Sequence, residues 1–155
     1  MSLPFGMIFS IILIAAIIGI GFYTINYFVN LGKCTEIGLF YQDFQDKVDR
    51  AWNSEITRDE FVGKLPNGIK SVCFGDLSQT LGRTGKEYDA LRKYRNVDAN
   101  MFLYPPEKSC GLEYRKIEHV DFSELDVFSC FSTTGGQVRI KLEKGSFDAL
   151  VKIKR

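Results

Sequence analysis

The fold of this chain is decided first by residues 5–29, which read FGMIFSIILIAAIIGIGFYTINYFV. These 25 consecutive positions contain no Asp, Glu, Lys, Arg or His. At about 1.5 Å of rise per residue, a helix of this length is roughly 37 Å long, which is enough to cross a hydrocarbon core of about 30 Å with some tilt. The sequence therefore predicts a transmembrane anchor within residues 1–30, and a lipid bilayer as its partner.

The apolar segment has to be distinguished from a removable signal peptide. Such a peptide has a basic start, an apolar run of about 7 to 15 residues and a cleavage site between small residues. Here no Lys or Arg precedes the run, and the run continues into the aromatic and polar stretch Tyr23–Phe28, which is typical of a helix end at the headgroup level. Cleavage at Gly19-Ile20-Gly21 is the alternative, and an uncleaved anchor is the prediction.

Two small residues of this segment, Ala15 and Gly19, lie one helical turn apart. Small residues at this spacing let a second helix approach closely, so self-association through Ala15 and Gly19 is one hypothesis. The alternative is that Gly and Ala are simply frequent in membrane helices. The sequence leaves both interpretations open.

The charged residues all lie after residue 32, where 20 Lys and Arg balance 19 Asp and Glu to give a formal charge of +1. A nucleic-acid-binding protein needs a basic excess or stripe to contact phosphates. The near-neutral balance therefore argues against nucleic acid as a partner. A protein or glycan partner is not identified by the sequence.

Two arguments on topology disagree. Lys33, Lys47 and Arg50 follow the span, and the positive-inside rule then weakly favours a cytoplasmic C-terminal domain. Four cysteines in a small domain of a membrane-inserted chain instead suit an oxidising compartment. We give the cysteines more weight, because the three basic residues are interspersed with acidic ones. The C-terminal domain is expected to be extracytoplasmic.

Residues 31–53 predict an amphipathic helix. Apolar residues recur there at three- and four-residue steps with charged residues between them, at Ile37, Phe40, Phe44, Val48 and Trp52. No Pro interrupts the junction with the apolar segment, so the transmembrane helix is expected to run into this one.

Residues 54–155 change in composition towards short strands separated by Gly and Pro. Two β-hairpins are predicted, one over 61–74 around Pro66-Asn67-Gly68 and one over 127–142 around Gly135-Gly136. The remaining expected elements are a short helix at 86–94 and strands at 101–104, 114–122 and 150–153. The predicted fold class is α+β, with an N-terminal transmembrane helix running into an amphipathic helix, followed by a small, mostly antiparallel β domain.

The four cysteines, Cys34, Cys73, Cys110 and Cys130, are disulfide candidates. They contain no Cys-x-x-Cys pair, whereas zinc sites normally offer ligands at short spacing, so no metal site is expected. We prefer a bridge between Cys110 and Cys130, with Cys34 unpaired. Cys73 and Cys130 each lie beside Phe in a predicted strand, which also suits small buried hydrophobic residues. Four cysteines allow three full connectivities.

Catalytic residues are harder to find. His119 is the only histidine, and it suggests a catalytic pair, either with Cys130 as the nucleophile or with Asp121 as the carboxylate. Nothing in the spacing demands such a contact, and no family signature surrounds His119, so a structural or surface role is the preferred interpretation. We therefore expect a protein that is not an enzyme and that needs no cofactor.

Aromatic residues near Pro105-Pro106 suggest the one candidate binding surface. Phe102, Tyr104 and Tyr114 could stack against a sugar or a peptide. The alternative is that these strand residues build the core, as most aromatic strand residues do.

The overall plan, a hydrophobic N-terminal helix that becomes amphipathic and supports a C-terminal β domain, resembles that of type IV pilin-like subunits. Gly6 before Met7 is similar to their leader cleavage site, although the basic leader and the early acidic residue of those families are missing. Three segments also resemble small uncharacterised single-pass proteins of archaeal genomes, namely Pro4–Phe9, Ala51–Ser54 and Val72–Phe74.

These observations lead to three hypotheses. The first is a single-pass membrane-anchored protein that displays a small extracytoplasmic domain with a structural or binding role. The second is a pilin-like filament subunit that assembles through its N-terminal helix after leader cleavage. The third is a membrane-bound enzyme, which would need a cleft that gathers His119, a cysteine and carboxylates.

Overall fold

A computed structural model of the chain describes residues 5–79 and 85–155. The chain forms two compact units, Met1–Lys33 and Cys34–Arg155. The first four positions of the predicted anchor lie outside the described residues.

The first unit contains the apolar part of helix α1, whose full extent is Phe5–Trp52. Nearly all its residues from 6 to 33 are exposed, including Ala15 and Gly19. The hydroxyls of Ser10 and Thr24 donate hydrogen bonds of 2.8 Å to carbonyls four residues earlier, so these polar groups are satisfied within the helix. By length and composition, this helix could cross a membrane.

The second unit begins with the amphipathic part of α1. Ile37, Phe40, Phe44 and Val48 are at most 2% exposed, which confirms the predicted apolar face. Trp52, predicted on the same face, is 37% exposed and lies at the surface of the unit. The helix ends directly after it, where Asn53 and Ser54 cap the last turn by donating side-chain hydrogen bonds to the carbonyls of Asp49 and Arg50.

Eight strands follow α1 in the described part of the second unit. They are β1 (Thr57–Lys64), β2 (Ser71–Gly75), β3 (Met101–Tyr104), β4 (Tyr114–Arg115), β5 (Val120–Asp121), β6 (Phe128–Ser132), β7 (Gln137–Lys144) and β8 (Val151–Lys154). Sheet A has the order β1-β7-β8-β5, and sheet B has the order β4-β3-β2-β6. All pairs are antiparallel except β5 with β8. The structure confirms the predicted α+β class with an antiparallel-rich β domain.

Both predicted hairpins are wrong in their pairing, although their strands exist. The strands on either side of Pro66-Asn67-Gly68 go to different sheets, because β1 pairs with β7 and β2 pairs with β3 and β6. The strands around Gly135-Gly136 also separate, since β6 belongs to sheet B and β7 to sheet A. An isolated bridge between Thr134, after β6, and Gln137, the first residue of β7, closes the turn. In both places the turn carries the chain from one sheet to the other.

The strand predicted over 114–122 is also divided. β4 lies at the edge of sheet B and β5 at the edge of sheet A. His119, directly before β5, adopts φ +62, a left-handed conformation that breaks an extended strand. The other predicted elements are confirmed, with α2 (Lys86–Leu91) followed by a 3₁₀ turn over Arg92–Tyr94, and with β3 and β8 close to their expected positions.

One hydrophobic core joins the amphipathic part of α1 to the inner faces of both sheets. Phe44 lies at its centre, with its ring centroid 5.0 Å from that of Phe61 in sheet A and 5.6 Å from that of Phe74 in sheet B. A second, smaller cluster lies on the outer face of sheet B. Residues that alternate along sheet B therefore serve two different cores.

The disulfides connect Cys34 with Cys110 and Cys73 with Cys130. The predicted bridge between Cys110 and Cys130 is wrong, and Cys34 is paired. Cys73 and Cys130 lie directly opposite each other in β2 and β6, with their Cα atoms 3.9 Å apart. The register of these two strands, which the sequence did not reveal, therefore decides the pairing.

Candidate ligand-binding surface

The outer face of sheet B is covered by α2 and the 3₁₀ turn after it. Leu91 from α2 is fully buried there against Cys73, Phe102 and Phe128. The acidic side chains Glu87 and Asp89 lie in the first turn of α2, where they complement the positive end of the helix. The 3₁₀ turn that follows brings Tyr94 next to the edge strand β4 of sheet B.

Three tyrosines lie in and beside this segment. We name them the tyrosine surface, which consists of Tyr94, Tyr104 and Tyr114. Tyr94 and Tyr104 are half-buried, and Tyr114 is 38% exposed. The ring centroids of Tyr94 and Tyr114 are 5.3 Å apart, and Tyr114 lies opposite Phe102 in the β3–β4 pair. Phe102, expected on this surface, is instead 1% exposed, and it supports the tyrosines from beneath.

The hydroxyl groups of the tyrosine surface are available to a ligand. Within residues 5–79 and 85–155, none of the three hydroxyls has a hydrogen-bond partner, whereas the buried hydroxyl of Tyr41 donates to the carbonyl of Leu112 at 3.0 Å. A tyrosine with an exposed edge offers both an apolar ring and a hydrogen-bonding group. The surface can therefore stack against a planar or sugar-like ligand and bind its polar groups.

Basic residues lie beside the tyrosine surface. A cavity of 580 Å³ is lined by Arg92, Lys93 and Arg95, together with Tyr88, Asp89 and Asn96. The Lys93 ammonium lies 5.0 Å from the centroid of the Tyr94 ring, in cation–π range.

These three cations have no acidic partner in the part of the chain that the structure describes. The outer face of sheet A is different, because Arg58 pairs there with Glu143 and Arg139 pairs with Glu60. An unpaired guanidinium is a ready donor to a carboxylate or sulfate group. The chemistry beside the tyrosine surface therefore suits an anionic ligand.

The structure places His119 against the end of α1. Cys130 is bound to Cys73, and the Asp121 carboxylate accepts hydrogen bonds from the backbone and hydroxyl of Ser123. His119 Nδ1 lies instead 3.0 Å from Asp49 Oδ1 on α1. The imidazole ring stacks on Trp52, with centroids 3.8 Å apart. No nucleophile therefore accompanies His119 among the residues named for that role.

A second cavity, of 480 Å³, lies near the end of β2. Its lining includes Asp76, Asp98 and Lys116, and the Lys116 ammonium lies 2.8 Å from the Asp98 carboxylate. The described residues contain no group of three His, Cys, Asp or Glu side chains that could hold a metal ion. In this cavity the Lys116 ammonium and the Asp98 carboxylate pair with each other, and the Asp76 carboxylate accepts hydrogen bonds from the backbone amide and the hydroxyl of Ser78.

Sequence reasoning found two of the three members of the tyrosine surface and missed Tyr94. The short helix at 86–94 was predicted, but the face of sheet B that it covers depends on contacts between distant residues. The basic run Arg92-Lys93-Tyr94-Arg95 was the available signal. The comparisons add no relative, because no protein-family model, no curated protein and no solved structure matches this chain.

Proposed function

We propose that this chain is a single-pass membrane protein that displays its disulfide-bonded α+β domain on the extracytoplasmic side and binds an anionic glycan through the tyrosine surface. The observation that carries the membrane assignment is the uncharged segment from residue 6 to residue 29, in which most side chains are apolar and exposed. Such a surface is stable in hydrocarbon and costly in water.

The extracytoplasmic location is supported by the cysteines. All four are bonded in disulfides, and disulfides persist mainly in oxidising compartments. The positive-inside argument rests on few residues, of which Lys47 is engaged in an ion pair with Asp59 on the domain itself. The disulfides are the stronger support.

Binding through the tyrosine surface is supported by its combination of rings and cations. Tyrosine rings stack against the apolar face of a sugar, while Arg92 and Arg95 can donate paired hydrogen bonds to its carboxylate groups. The carboxylates of an acidic peptide could bind to the same arginine side chains. An acidic peptide is therefore the competing ligand in any binding test. The arrangement of unpaired cations beside exposed rings is the reason for choosing an anionic class.

The location can be tested with membrane vesicles of known orientation that contain the full chain. A membrane-impermeant lysine reagent should label the domain in right-side-out vesicles and leave it unlabelled in inverted vesicles until detergent is added. Labelling confined to inverted vesicles would overturn the location. Release of the chain by alkaline carbonate would overturn the membrane span.

A pilin-like filament subunit is the second candidate. It is favoured by one observation, that α1 runs from Phe5 to Trp52 as a single helix in which an apolar part precedes an amphipathic part. In a filament, the apolar parts of neighbouring copies would cover each other. Sheared material should then contain chains that lack residues 1–6 by intact mass. A full-length mass confined to the membrane fraction would contradict assembly after cleavage.

A further inference from the structure

The two disulfides differ in their surroundings. Cys73 is fully buried, and Cys130 is half-buried and packed against the same cluster on the outer face of sheet B. Cys110 is exposed and its partner Cys34 is half-buried. Thiol–disulfide exchange requires a thiolate to approach one sulfur along the S–S bond, so access to the sulfur controls which bond reacts.

The backbone at Cys110 is held in an unfavourable conformation. Cys110 has φ +56, which residues with a side chain seldom adopt, and Gly111 after it has φ +81. Such a conformation persists where surrounding bonds over-determine it. Opening the bond to Cys34 would free Cys110 to leave the left-handed region, so reduction is accompanied by relaxation of the loop.

The loop concerned joins the strands that carry two members of the tyrosine surface. β3 ends at Tyr104 and β4 begins at Tyr114, and Cys110 lies between them. Apart from the disulfide, the polar link from this loop to α1 in the described residues is the hydrogen bond from Tyr41 to the carbonyl of Leu112. The bond between Cys34 and Cys110 and this hydrogen bond therefore tie the loop to α1, whereas the bonds within the loop are backbone hydrogen bonds around the 3₁₀ turn over Pro106–Lys108.

We propose that the disulfide between Cys34 and Cys110 is a thiol-exchange site that a dithiol reductant opens selectively, and that its redox state controls the order of the loop between Tyr104 and Tyr114. The disulfide between Cys73 and Cys130 has a structural role and stays closed. The consequence for ligand binding rests on the proposed function of the tyrosine surface, whereas the exchange itself does not.

The chemistry is a two-step exchange. A thiolate of the dithiol attacks Sγ of Cys110, a bond forms between them as the bond to Cys34 breaks, and Cys34 leaves as a thiolate that takes a proton from water. The second thiol of the reductant then loses its proton, and its thiolate attacks the reductant sulfur of the mixed disulfide. A bond forms between the two reductant sulfurs as the bond to Cys110 breaks, and Cys110 leaves as a thiolate that takes up a proton. Two electrons pass from the dithiol to the protein, and the reductant becomes a disulfide.

The test is graded reduction of the full chain in detergent with dithiothreitol, followed by N-ethylmaleimide and peptide mass spectrometry. We expect Cys34 and Cys110 to be labelled at reductant concentrations at least about tenfold lower than those that label Cys73 and Cys130. Simultaneous labelling of all four cysteines, or labelling of Cys73 first, would overturn the selectivity.

Hydrogen exchange tests the effect on the loop without any ligand. In the selectively reduced protein, and in a Cys34→Ser, Cys110→Ser double variant, amides of residues 107–113 should exchange at least about tenfold faster, while those of β7 keep their protection. The matched variant Cys73→Ala, Cys130→Ala should instead loosen β2 and β6. Unchanged hydrogen exchange in the loop would overturn the control of the loop by the disulfide. This outcome does not depend on whether the protein binds a glycan.

Discussion

Trp52 and His119 stack with their ring centroids 3.8 Å apart and their planes 5° from parallel. They are the only tryptophan and the only histidine of the chain. The indole donates a hydrogen bond of 3.0 Å to the carbonyl of Ala149. The carbonyl of His119 accepts a hydrogen bond of 2.9 Å from the backbone amide of Val151. The stack therefore joins the end of α1 to sheet A, and a single fluorophore reports on it.

Replacing His119 with Asn should remove the stack while keeping a residue that tolerates the left-handed backbone. We expect a red shift of Trp52 emission and a loss of about 1 kcal/mol in the free energy of unfolding, because a stacked aromatic pair contributes about 0.5–1.5 kcal/mol and the half-exposed pair with Asp49 adds little. Fluorescence spectra and denaturant titration measure both effects.

The control for this stack is Glu118→Ala, which removes the neighbouring exposed side chain and leaves its backbone hydrogen bond to Gln45 in place. It should change neither emission nor stability. An unchanged emission maximum in the His119 variant would show that the two rings are not stacked in solution.

Phe44→Asp should detach the amphipathic part of α1 from the sheets. The side chain is fully buried between Phe61 and Phe74, so the variant loses the aromatic contacts and buries a carboxylate without a partner. A loss of about 4 kcal/mol or more is expected, which would unfold a small domain. Thermal unfolding and limited proteolysis provide the measurement, with the exposed Gln42→Asp as control. Equal protease resistance of both variants would contradict the packing.

Gly75→Ala separates a steric clash from backbone strain. Gly75 has φ +136, and a Cβ atom there would overlap the carbonyl oxygen of Val127. Gly135 also has a left-handed φ, +59, but open space lies around it. We expect Gly135→Ala to cost about 1 kcal/mol from the backbone alone, and Gly75→Ala to cost at least about 2 kcal/mol. Equal losses in denaturant titration would show that β2 and its neighbour can separate.

The stability of the domain should fall on the acidic side. The hydrogen bond from Lys47 holds the pKa of Asp59 below its ordinary value, and the backbone amide of Gly145 lowers the pKa of Asp148. Groups with a depressed pKa stabilise the fold above their ordinary values and lose that contribution as the pH falls through the folded values, here below about pH 4. The thermal midpoint should therefore drop between about pH 4 and pH 2.

The variant Asp59→Asn measures how much of the acid-dependent fall in the thermal midpoint is due to Asp59. This variant should have a lower midpoint than the wild type at neutral pH and a smaller decrease on acidification. Asp43→Asn is the matched control, because the Asp43 carboxylate on α1 has no ion-pair partner among the described residues. The same acid profile in both variants would contradict a role for the ion pair with Lys47.

Loss of the unpaired cations should weaken glycan binding. The double variant Arg92→Ala, Arg95→Ala is expected to bind polygalacturonate at least about tenfold more weakly, since each charge-assisted hydrogen bond contributes about 1.5–3 kcal/mol. The control is Arg58→Ala, Arg139→Ala, which removes two equally charged residues that are already paired on sheet A. Calorimetry with neutral dextran and polyglutamate distinguishes the ligand classes. Tighter binding of polyglutamate would favour a peptide ligand.

The pattern of residues close together in the sequence was sufficient to predict the helical elements near the N-terminus. The absence of charge over residues 5–29 and the spacing of Ile37, Phe40 and Phe44 each fix which side chains share a helix face, because helix geometry depends only on neighbours within a few residues. β3 was predicted for the same reason, since Pro105 ends a run of apolar residues.

The sequence by itself thus determined the apolar helix, its amphipathic continuation and most strand positions. Only the tertiary structure decided which strands pair, which cysteines meet and where Tyr94 lies. Alternation along a strand shows that one face is buried but does not identify the neighbouring strand, so the turns at Gly68 and Gly135 were read as hairpins when they change sheets. The pairing of Cys73 with Cys130 and the stack of Trp52 on His119 join residues more than fifty positions apart, and such contacts exist only once the core has brought their strands and helix together.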